Sequence, residues 1–284
     1  MWSVDTVQTY VINLDRRRDR WLALEAQPEV RKIPNVQRFS AVDGKTLNVD
    51  TDSRISVVGR YNIKNFTRRS HDMLDSIGGV GCALSHITLW EKLAASDQEV
   101  LLILEDDLIV REGMWERVRA AYHKYPWLAD TSKWDLWSLG NIACNNAIGT
   151  YNGGDDLSNY VYEDKWIQCK EFLGLNGYFL TKAGAKKLLS EVFPIQQHID
   201  WYITYYAQNR PFKIIFNKNI FFAQRGTGSD IAMKKVCAIC DVPTDVEQSH
   251  FLVSKEHINI AMLAGISVAL MAWLAFSGRL KIKK

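Results

Sequence analysis

The sequence predicts an α/β fold in which helices cover both faces of a sheet. Short apolar runs rich in β-branched residues alternate with longer segments of helical character between residues 7 and 222. The clearest run, VLLIL at 100–104, has no polar position. A strand that is apolar throughout is typical of a sheet covered on both sides, as parallel sheets are. We therefore expect one large α/β domain.

The first half of the chain gives the plainest element signals. The β-branched run VQTYVINL at 7–14 predicts a strand, and the polar DRRRDR after it leads into a helix at 17–26. A second strand is predicted at 38–42, closed by the turn Asp43-Gly44. Residues 50–76 are polar and irregular, which predicts a loop. Gly78-Gly79-Val80-Gly81 then opens a helix at about 82–95, and VLLIL follows.

The second half continues the alternation. The amphipathic pattern of residues 111–125 predicts a helix, which ends there because Pro126 follows. A strand is predicted at 134–139. The stretch 143–164 is rich in Asn, Gly and Asp, so we expect a loop. A strand at 172–181 leads into a helix at 183–192, another helix covers 199–207, and the last strands lie within 212–222. This predicted domain covers 1–233.

Composition excludes some classes of function. The formal net charge of the 284 residues is +3, which is too small to indicate a nucleic-acid partner. The five cysteines are odd in number and no secretory leader is visible, so a disulfide framework is not expected. Cys237 and Cys240 form a lone CxxC pair, which we interpret as two ordinary thiols rather than a metal site.

A membrane segment is predicted near the C-terminus. Residues 258–276 are uncharged, and only Asn259 and Ser267 interrupt the apolar run. At ~1.5 Å per residue this length just crosses a bilayer core. We therefore predict a linker at 234–257, a transmembrane helix at 258–276 and a basic tail at 277–284. A buried terminal helix is the alternative. The expected location is a single-pass membrane protein with a C-terminal anchor and its large domain in the cytosol; the opposite orientation, with the basic tail in the cytosol, is the alternative.

The residues that carry chemistry follow VLLIL directly. Glu105, Asp106 and Asp107 are three consecutive acids at the expected carboxyl end of a strand, where α/β sheets collect their ligands. Adjacent carboxylates repel each other and are stabilised by a cation, and their oxygens suit Mg²⁺ or Mn²⁺. Glu105 and Asp107 are two residues apart and are expected to share one metal site, with Asp106 on a turn or a ribose. A solvated acidic turn is the alternative.

Several sequence blocks in order resemble glycosyltransferase family 25, which includes bacterial lipopolysaccharide galactosyltransferases and collagen galactosyltransferases. The blocks are VINLD at 11–15, AVDG at 41–44, GCALSH at 81–86, LILEDD at 102–107, WDL at 134–136, GYFL at 177–180 and SDI at 229–231. The resemblance implies a GT-A type, Rossmann-like nucleotide-sugar-binding domain with a mixed sheet. It also implies a UDP-galactose or UDP-glucose donor and a divalent metal, Mn²⁺ or Mg²⁺.

The resemblance also suggests roles for individual residues. Candidates for binding the donor are Asn13, Asp15, Arg18, Gly81, Ser85, His86, Asp106, Gln224 and Asp230. Arg20 is a second candidate for the phosphate contact, and surface salt bridges are the alternative for both arginines. A structural, hydrogen-bonded His86 is an equal alternative to a ligand contact. Asp200 is the candidate general base, with a helix N-cap as its alternative.

The function expected is transfer of galactose or glucose from a UDP-sugar to a hydroxyl group of a glycan or glycoprotein, with inversion at the anomeric carbon. One alternative is a non-catalytic, membrane-tethered sugar-nucleotide-binding module. Another is a metal-dependent phosphohydrolase, although such sites use more His and Asp ligands than the six scattered histidines suggest.

Overall fold

The computed structural model describes residues 2–65, 70, 72–140, 161–162, 166–169, 174–217, 219–220 and 222–224. The chain divides into two compact units, Met1–Lys235 and Val236–Lys284, and every described residue belongs to the first. Asp230, Cys237, Cys240, the linker at 234–257 and the predicted transmembrane helix at 258–276 lie outside these ranges. No helix within them is both long and apolar enough to cross a bilayer.

Strands and helices alternate as predicted. The strands are β1 (Gln8–Asn13), β2 (Val36–Ser40), β3 (Val100–Glu105), β4 (Leu108–Ile109), β5 (Leu136–Ser138), β6 (Val161–Tyr162), β7 (Trp166–Cys169), β8 (Gly177–Thr181), β9 (Ile214–Asn217) and β10 (Ala223–Gln224). The helices are α1 (Arg18–Glu25), α2 (Val57–Asn65), α3 (Ile77–Ala95), α4 (Met114–Lys124), α5 (Lys182–Leu189) and α6 (Ile199–Asn209). The α/β fold class is therefore confirmed.

Eight strands form one mixed sheet in the order β2-β1-β3-β8-β5-β9-β7-β6, and β10 pairs with β4 separately. β1 runs parallel to both β2 and β3, whereas β8 is antiparallel to β3 and β5. After β1 the chain first adds β2 on one side and later β3 on the other. The carboxyl ends of β1 and β3 therefore meet at a topological switch point, which is where open α/β sheets bind ligands.

Helices cover both faces of the sheet, as the VLLIL run predicted. Leu101 and Ile103 of β3 belong to the core under α3, α5 and α6, whereas Leu102 and Leu104 belong to the core under α1 and α4. All four side chains are at most 2% exposed. We call the α3, α5 and α6 side the site face, and the α1 and α4 side the aromatic face.

Several elements differ from the sequence prediction: β6 lies inside the predicted loop 143–164, and β7 was not predicted. Residues 57–65 form helix α2 inside the predicted loop 50–76. Helix α3 begins at Ile77 rather than near 82, so the glycine cluster lies in its first turns. Ser76 is its N-cap, because the Ser76 hydroxyl accepts the N–H of Gly79 at 3.0 Å. The glycine pattern resembles a turn in sequence but serves helix packing in the fold.

One cysteine departs from the expectation of unpaired thiols. Cys169 at the end of β7 is disulfide-bonded and 1% exposed. Cys82 on α3 is a free thiol.

Candidate active site

The acidic motif forms the turn that leaves β3. Glu105 is the last residue of the strand, Asp106 and Asp107 make the turn, and Leu108 begins β4. All three acids are partly buried. Gln224 of β10 pairs with Leu108, so the backbone of this predicted donor-binding residue lies next to the acidic turn although 116 positions separate the two. The acidic turn therefore lies between β3 and β4, and β4 is paired with β10.

Asp106 faces the end of β1 across the switch point. Its Oδ2 accepts the Asn13 side-chain N–H at 2.6 Å, and its Oδ1 pairs with the Arg20 guanidinium at 3.2 Å. Burial raises the pKa of Asp106, while the bonds from Asn13 and Arg20 partly offset that effect. Asp106 thus points towards β1 and α1, whereas Glu105 contacts α3.

Asn13 is the centre of this network. The side chain is 1% exposed, and besides Asp106 it donates to the Arg17 carbonyl at 2.9 Å. Its Oδ1 accepts from Arg38 Nε at 2.7 Å. Asn13 therefore joins β1, β2 and the acidic turn. Sequence reasoning missed Arg38, because nothing in VQRFS distinguishes it from a solvent-facing charge on a strand.

Asp15 and Arg18 lie further out. Asp15 accepts from Ser40 Oγ at 2.7 Å and from Arg38 at 2.6 Å, and these two bonds hold its pKa below the ordinary value. Arg18 is the exposed first residue of α1, whereas Arg20 reaches Asp106. Of the two arginines considered for phosphate contact, the structure brings Arg20 to the acidic turn and leaves Arg18 at the surface.

Glu105 faces α3 on the site face. Its Oε1 lies 3.4 Å from His86 Nε2 and 4.0 Å from the Cys82 sulfur, and its backbone N–H donates to the Asn176 carbonyl at 2.9 Å. His86 is fully buried, which places it beneath Glu105 rather than at a ligand surface. The hydrogen-bonded alternative for His86 is the one that the structure describes.

Three acids affect the pKa of the Cys82 thiol. Burial raises the pKa of this thiol well above its ordinary value, and the charges of Glu105, Asp200 and Asp107 raise it further, in that order. Geometry places Asp200, the candidate base, near the same turn: Gly174 donates its N–H to Asp200, and Asn176, two residues on, accepts the N–H of Glu105.

Asp200 is the second residue of α6. His198 occupies the N-cap position, so Asp200 is not the cap that the alternative required. Its Oδ2 accepts the N–H of Gly174 at 3.2 Å, and its Oδ1 accepts the N–H of Trp201 at 2.9 Å. A carboxylate has about four acceptor positions, so both oxygens keep capacity for a further hydrogen bond.

Gly81 and Ser85 have roles within the fold. A Cβ at position 81 would lie 2.5 Å from the Val42 carbonyl oxygen, and one at Gly44 would overlap the Ile77 carbonyl. Gly81 therefore allows α3 to approach the backbone of Val42 and Gly44, whereas the sequence analysis proposed that it contacts the sugar donor. The Ser85 hydroxyl donates to the Gly81 carbonyl at 2.7 Å and accepts the Val42 N–H at 2.9 Å. Both residues fix α3 against the segment after β2.

The side chains at the acidic turn include oxygen ligands that suit a hard divalent cation. Cys82, His86 and Glu105 place potential ligand atoms within 4.8 Å of one another, which is the spacing of a mixed sulfur, nitrogen and oxygen site. Glu105 belongs both to this cluster and to the acidic turn, whose carboxylate oxygens favour Mg²⁺ or Mn²⁺.

A cleft of about 390 Å³ between α6 and the segment after α5 lies away from these acids. It is lined by Tyr202 and Asn209 of α6, among others. At 3.6 residues per turn these side chains point about 160° and 180° away from Asp200. The cleft therefore opens on the opposite side of α6 from the acids.

A mixed α/β sheet with acids at its switch point defines the class of proteins that bind a ligand at the carboxyl ends of strands. The sequence model of glycosyltransferase family 25 (LPS biosynthesis protein) matches residues 6–203. The chain belongs to this family, and the resemblance found in the sequence is confirmed.

Curated relatives agree with this assignment. A glycosyltransferase 25 family member from Anopheles gambiae is 31% identical over 202 residues, which are 67% of this chain and 30% of that protein. Procollagen galactosyltransferase 1-A from Xenopus laevis is 28% identical over 189 residues, covering 64% and 28% of the two chains. Inactive glycosyltransferase 25 family member 3 from Mus musculus is 28% identical over 186 residues, with the same coverage. The chain spans about 30% of the length of these relatives.

Proposed function

We propose that this chain is a metal-dependent hexosyltransferase, which moves galactose or glucose from a UDP-sugar to a hydroxyl group of a glycan or glycoprotein. Membership of glycosyltransferase family 25 supports sugar transfer. One observation at the site carries the proposal: the segment 174–176 connects Asp200 to Glu105. The Gly174 N–H donates to Asp200 Oδ2 at 3.2 Å, and the Asn176 carbonyl accepts the Glu105 N–H at 2.9 Å. A proposed metal ligand and the proposed general base are thereby close to one another.

The division of labour follows from the contacts. Glu105 and Asp107 are the residues that would hold Mn²⁺ or Mg²⁺, which supplies positive charge to a departing diphosphate. Asp106, tied to Asn13 and Arg20, fixes the acidic turn to the end of β1. The oxygen of the acceptor hydroxyl attacks the anomeric carbon, and Asp200 accepts the proton of that hydroxyl. The bond to UDP breaks in the same displacement, which inverts the configuration.

The test is turnover of UDP-galactose and UDP-glucose by the purified full chain in Mn²⁺, followed as release of UDP. The variant Asp107→Ala should lower turnover by roughly 100-fold or more, the scale seen when a stabilising charge is removed from an active site. Asp130→Ala is the matched control, because Asp130 is an exposed acid that precedes β5. It lies towards the amino ends of β3 and β5, whereas the acidic turn lies at the carboxyl end of β3. Equal turnover in the wild type and Asp107→Ala would remove the metal role.

The non-catalytic binding module is the second candidate, because one relative is named as inactive. The convergence of Asp200 with the acidic turn favours catalysis over this alternative. Calorimetry separates the two: UDP binding without turnover of either donor, across a panel of glycan acceptors, would support the module.

Membrane attachment through residues 258–276 is also part of the proposal. The uncharged, apolar sequence of this segment supports it. Carbonate extraction of membranes from expressing cells tests it: the chain should stay in the pellet, and removal of residues 258–284 should release it.

A further inference from the structure

A chain of buried polar groups runs from the core of the site face to Glu105. Trp90 Nε1 donates to the Tyr178 hydroxyl at 2.9 Å, and the same hydroxyl lies 2.8 Å from His86 Nδ1. The other ring nitrogen of His86 faces Glu105 Oε1 at 3.4 Å. All three aromatic side chains are fully buried, whereas the Glu105 side chain is 20% exposed. The chain therefore begins in the core and ends at the acidic turn.

The direction of these hydrogen bonds follows from what each group can donate. An indole N–H is only a donor, so the Tyr178 oxygen must accept from Trp90. The hydroxyl proton then needs an acceptor, and His86 Nδ1 is the one within reach. Burial raises the pKa of Tyr178 well above its ordinary value, so the phenol keeps this proton. A neutral imidazole that accepts at Nδ1 carries its proton at Nε2, which faces Glu105.

We propose that Trp90, Tyr178 and His86 form a positioning relay that orients the Glu105 carboxylate for a divalent cation. The inference rests on the proposed function, because it assigns Glu105 the role of metal ligand. The Nε2–H of His86 binds one carboxylate oxygen, Oε1, and leaves the other to bind the cation. Outer groups of this kind fix the orientation of metal ligands in many sites, and their loss costs about 10–100-fold in metal affinity or activity.

Packing alone does not explain these residues. A buried polar group costs free energy unless it is hydrogen-bonded, and apolar side chains would fill the same space without that requirement. Cys82, His86 and Trp90 lie at four-residue intervals on α3, so their side chains form one row on the helix. That row faces Tyr178 of β8 and Glu105 of β3. The polar groups are therefore arranged along a line that ends at the reactive carboxylate.

The experiment compares two Tyr→Phe variants of the full chain. Tyr178→Phe removes the hydroxyl of the relay. Tyr122→Phe is the matched control, because its buried hydroxyl donates to the Trp2 carbonyl at 2.6 Å on the aromatic face. Mn²⁺ dissociation constants measured by electron paramagnetic resonance should rise about tenfold in Tyr178→Phe and stay unchanged in Tyr122→Phe. Equal dissociation constants in all three proteins would overturn the relay while leaving the proposed function in place.

A spectroscopic reading tests the direction of the relay independently of activity. Long-range ¹H–¹⁵N correlation spectra should show His86 as the neutral tautomer protonated at Nε2, with its signals identified by their loss in His86→Gln. In Tyr178→Phe this tautomer should lose its dominance. A wild-type His86 protonated at Nδ1, or one whose Nε2 proton is displaced by added Zn²⁺, would overturn the proposal.

Replacement of His86 separates positioning from simple folding. Gln keeps an N–H at the place of Nε2, so His86→Gln should retain most of the Mn²⁺ affinity that His86→Ala loses. Equal affinity in these two variants would contradict the relay. If the wild-type chain itself binds no Mn²⁺, the proposed metal-dependent function fails, and that result is distinguishable from failure of the relay alone.

Discussion

The two faces of the central sheet use aromatic side chains in different ways. Tyr178 and Phe179 are neighbours in β8, and both are fully buried. Tyr178 faces α3 and links Trp90 to His86 by hydrogen bonds. Phe179 faces the opposite way and stacks on Trp137 with ring centroids 4.8 Å apart. One strand thus provides directional contacts to the site face and apolar area to the aromatic face.

The indole groups repeat this contrast. Trp90 donates its N–H to Tyr178, whereas Trp137 Nε1 has no hydrogen-bond partner within the described part of the chain. Trp2 and Trp134 on the aromatic face do donate, both to the Leu128 carbonyl, at 3.2 and 3.0 Å. These bonds end on the backbone within the core, whereas the bonds of the site face lead through His86 to Glu105. Substitutions on the two faces should therefore have separable effects.

The largest effect on stability is expected from Phe179→Ala. The ring packs against Trp2, Trp115 and Trp137, so its removal leaves a large cavity and should lower the free energy of unfolding by ~3–5 kcal/mol. Urea unfolding measures this change. Phe193→Ala is the control, because Phe193 is 42% exposed. Mn²⁺ affinity per folded molecule should not change. A folded Phe179→Ala that binds Mn²⁺ poorly would show that the faces are not separable.

A smaller, mixed effect is expected from Asn13→Ala. The change leaves Asp106 and Arg38 without one partner each, so the free energy of unfolding should fall by about 1–3 kcal/mol. Mn²⁺ binding should also weaken, because Asp106 no longer fixes the acidic turn to β1. Asn62→Ala is the control, since this buried amide bonds to Met73 and Leu74 rather than to Asp106. If both variants bind Mn²⁺ equally well, Asn13 has only a structural role.

The smallest effect concerns the reactivity of Cys82. Its pKa lies above the ordinary value, so the thiolate fraction at pH 8 is small and alkylation by iodoacetamide should be slow. Asp200→Asn removes one of the three neighbouring charges and should lower the pKa, which increases the rate about two- to fivefold. Mass spectrometry of the Cys82 peptide measures the rate, with Asp130→Asn as the control. An unchanged rate would place Asp200 outside the acid cluster.

The sequence predicted the centre of the fold because its signals there are local. β3 is an uninterrupted apolar run with acids at its end, and both its burial and its turn are as expected. Helix α2 was missed because its pattern is inverted: Val57 is 74% exposed and Tyr61 61% exposed, whereas Gly59 and Asn62 are buried. Hydrophobic periodicity identifies a helix only when its apolar side faces the core.

The candidate site was predicted in part. The acids and Asp200 followed from the motif and the family resemblance, and the structure brings them together. The partners of these acids were not predictable, because Arg38 lies 25 positions from Asn13 and Tyr178 lies 92 positions from His86. Such contacts depend on strand order and register. The contacts of His86 likewise depend on how α3 packs against β3 and β8, which is a property of the whole fold.

The glycines at positions 44 and 81 affect the contact between His86 and Glu105. They allow α3 to lie directly on the backbone after β2, and α3 carries both Cys82 and His86. A single methyl group at either position would push this helix outward and lengthen the His86–Glu105 contact. The position of the Glu105 carboxylate relative to His86 thus depends on two residues that have no functional group of their own.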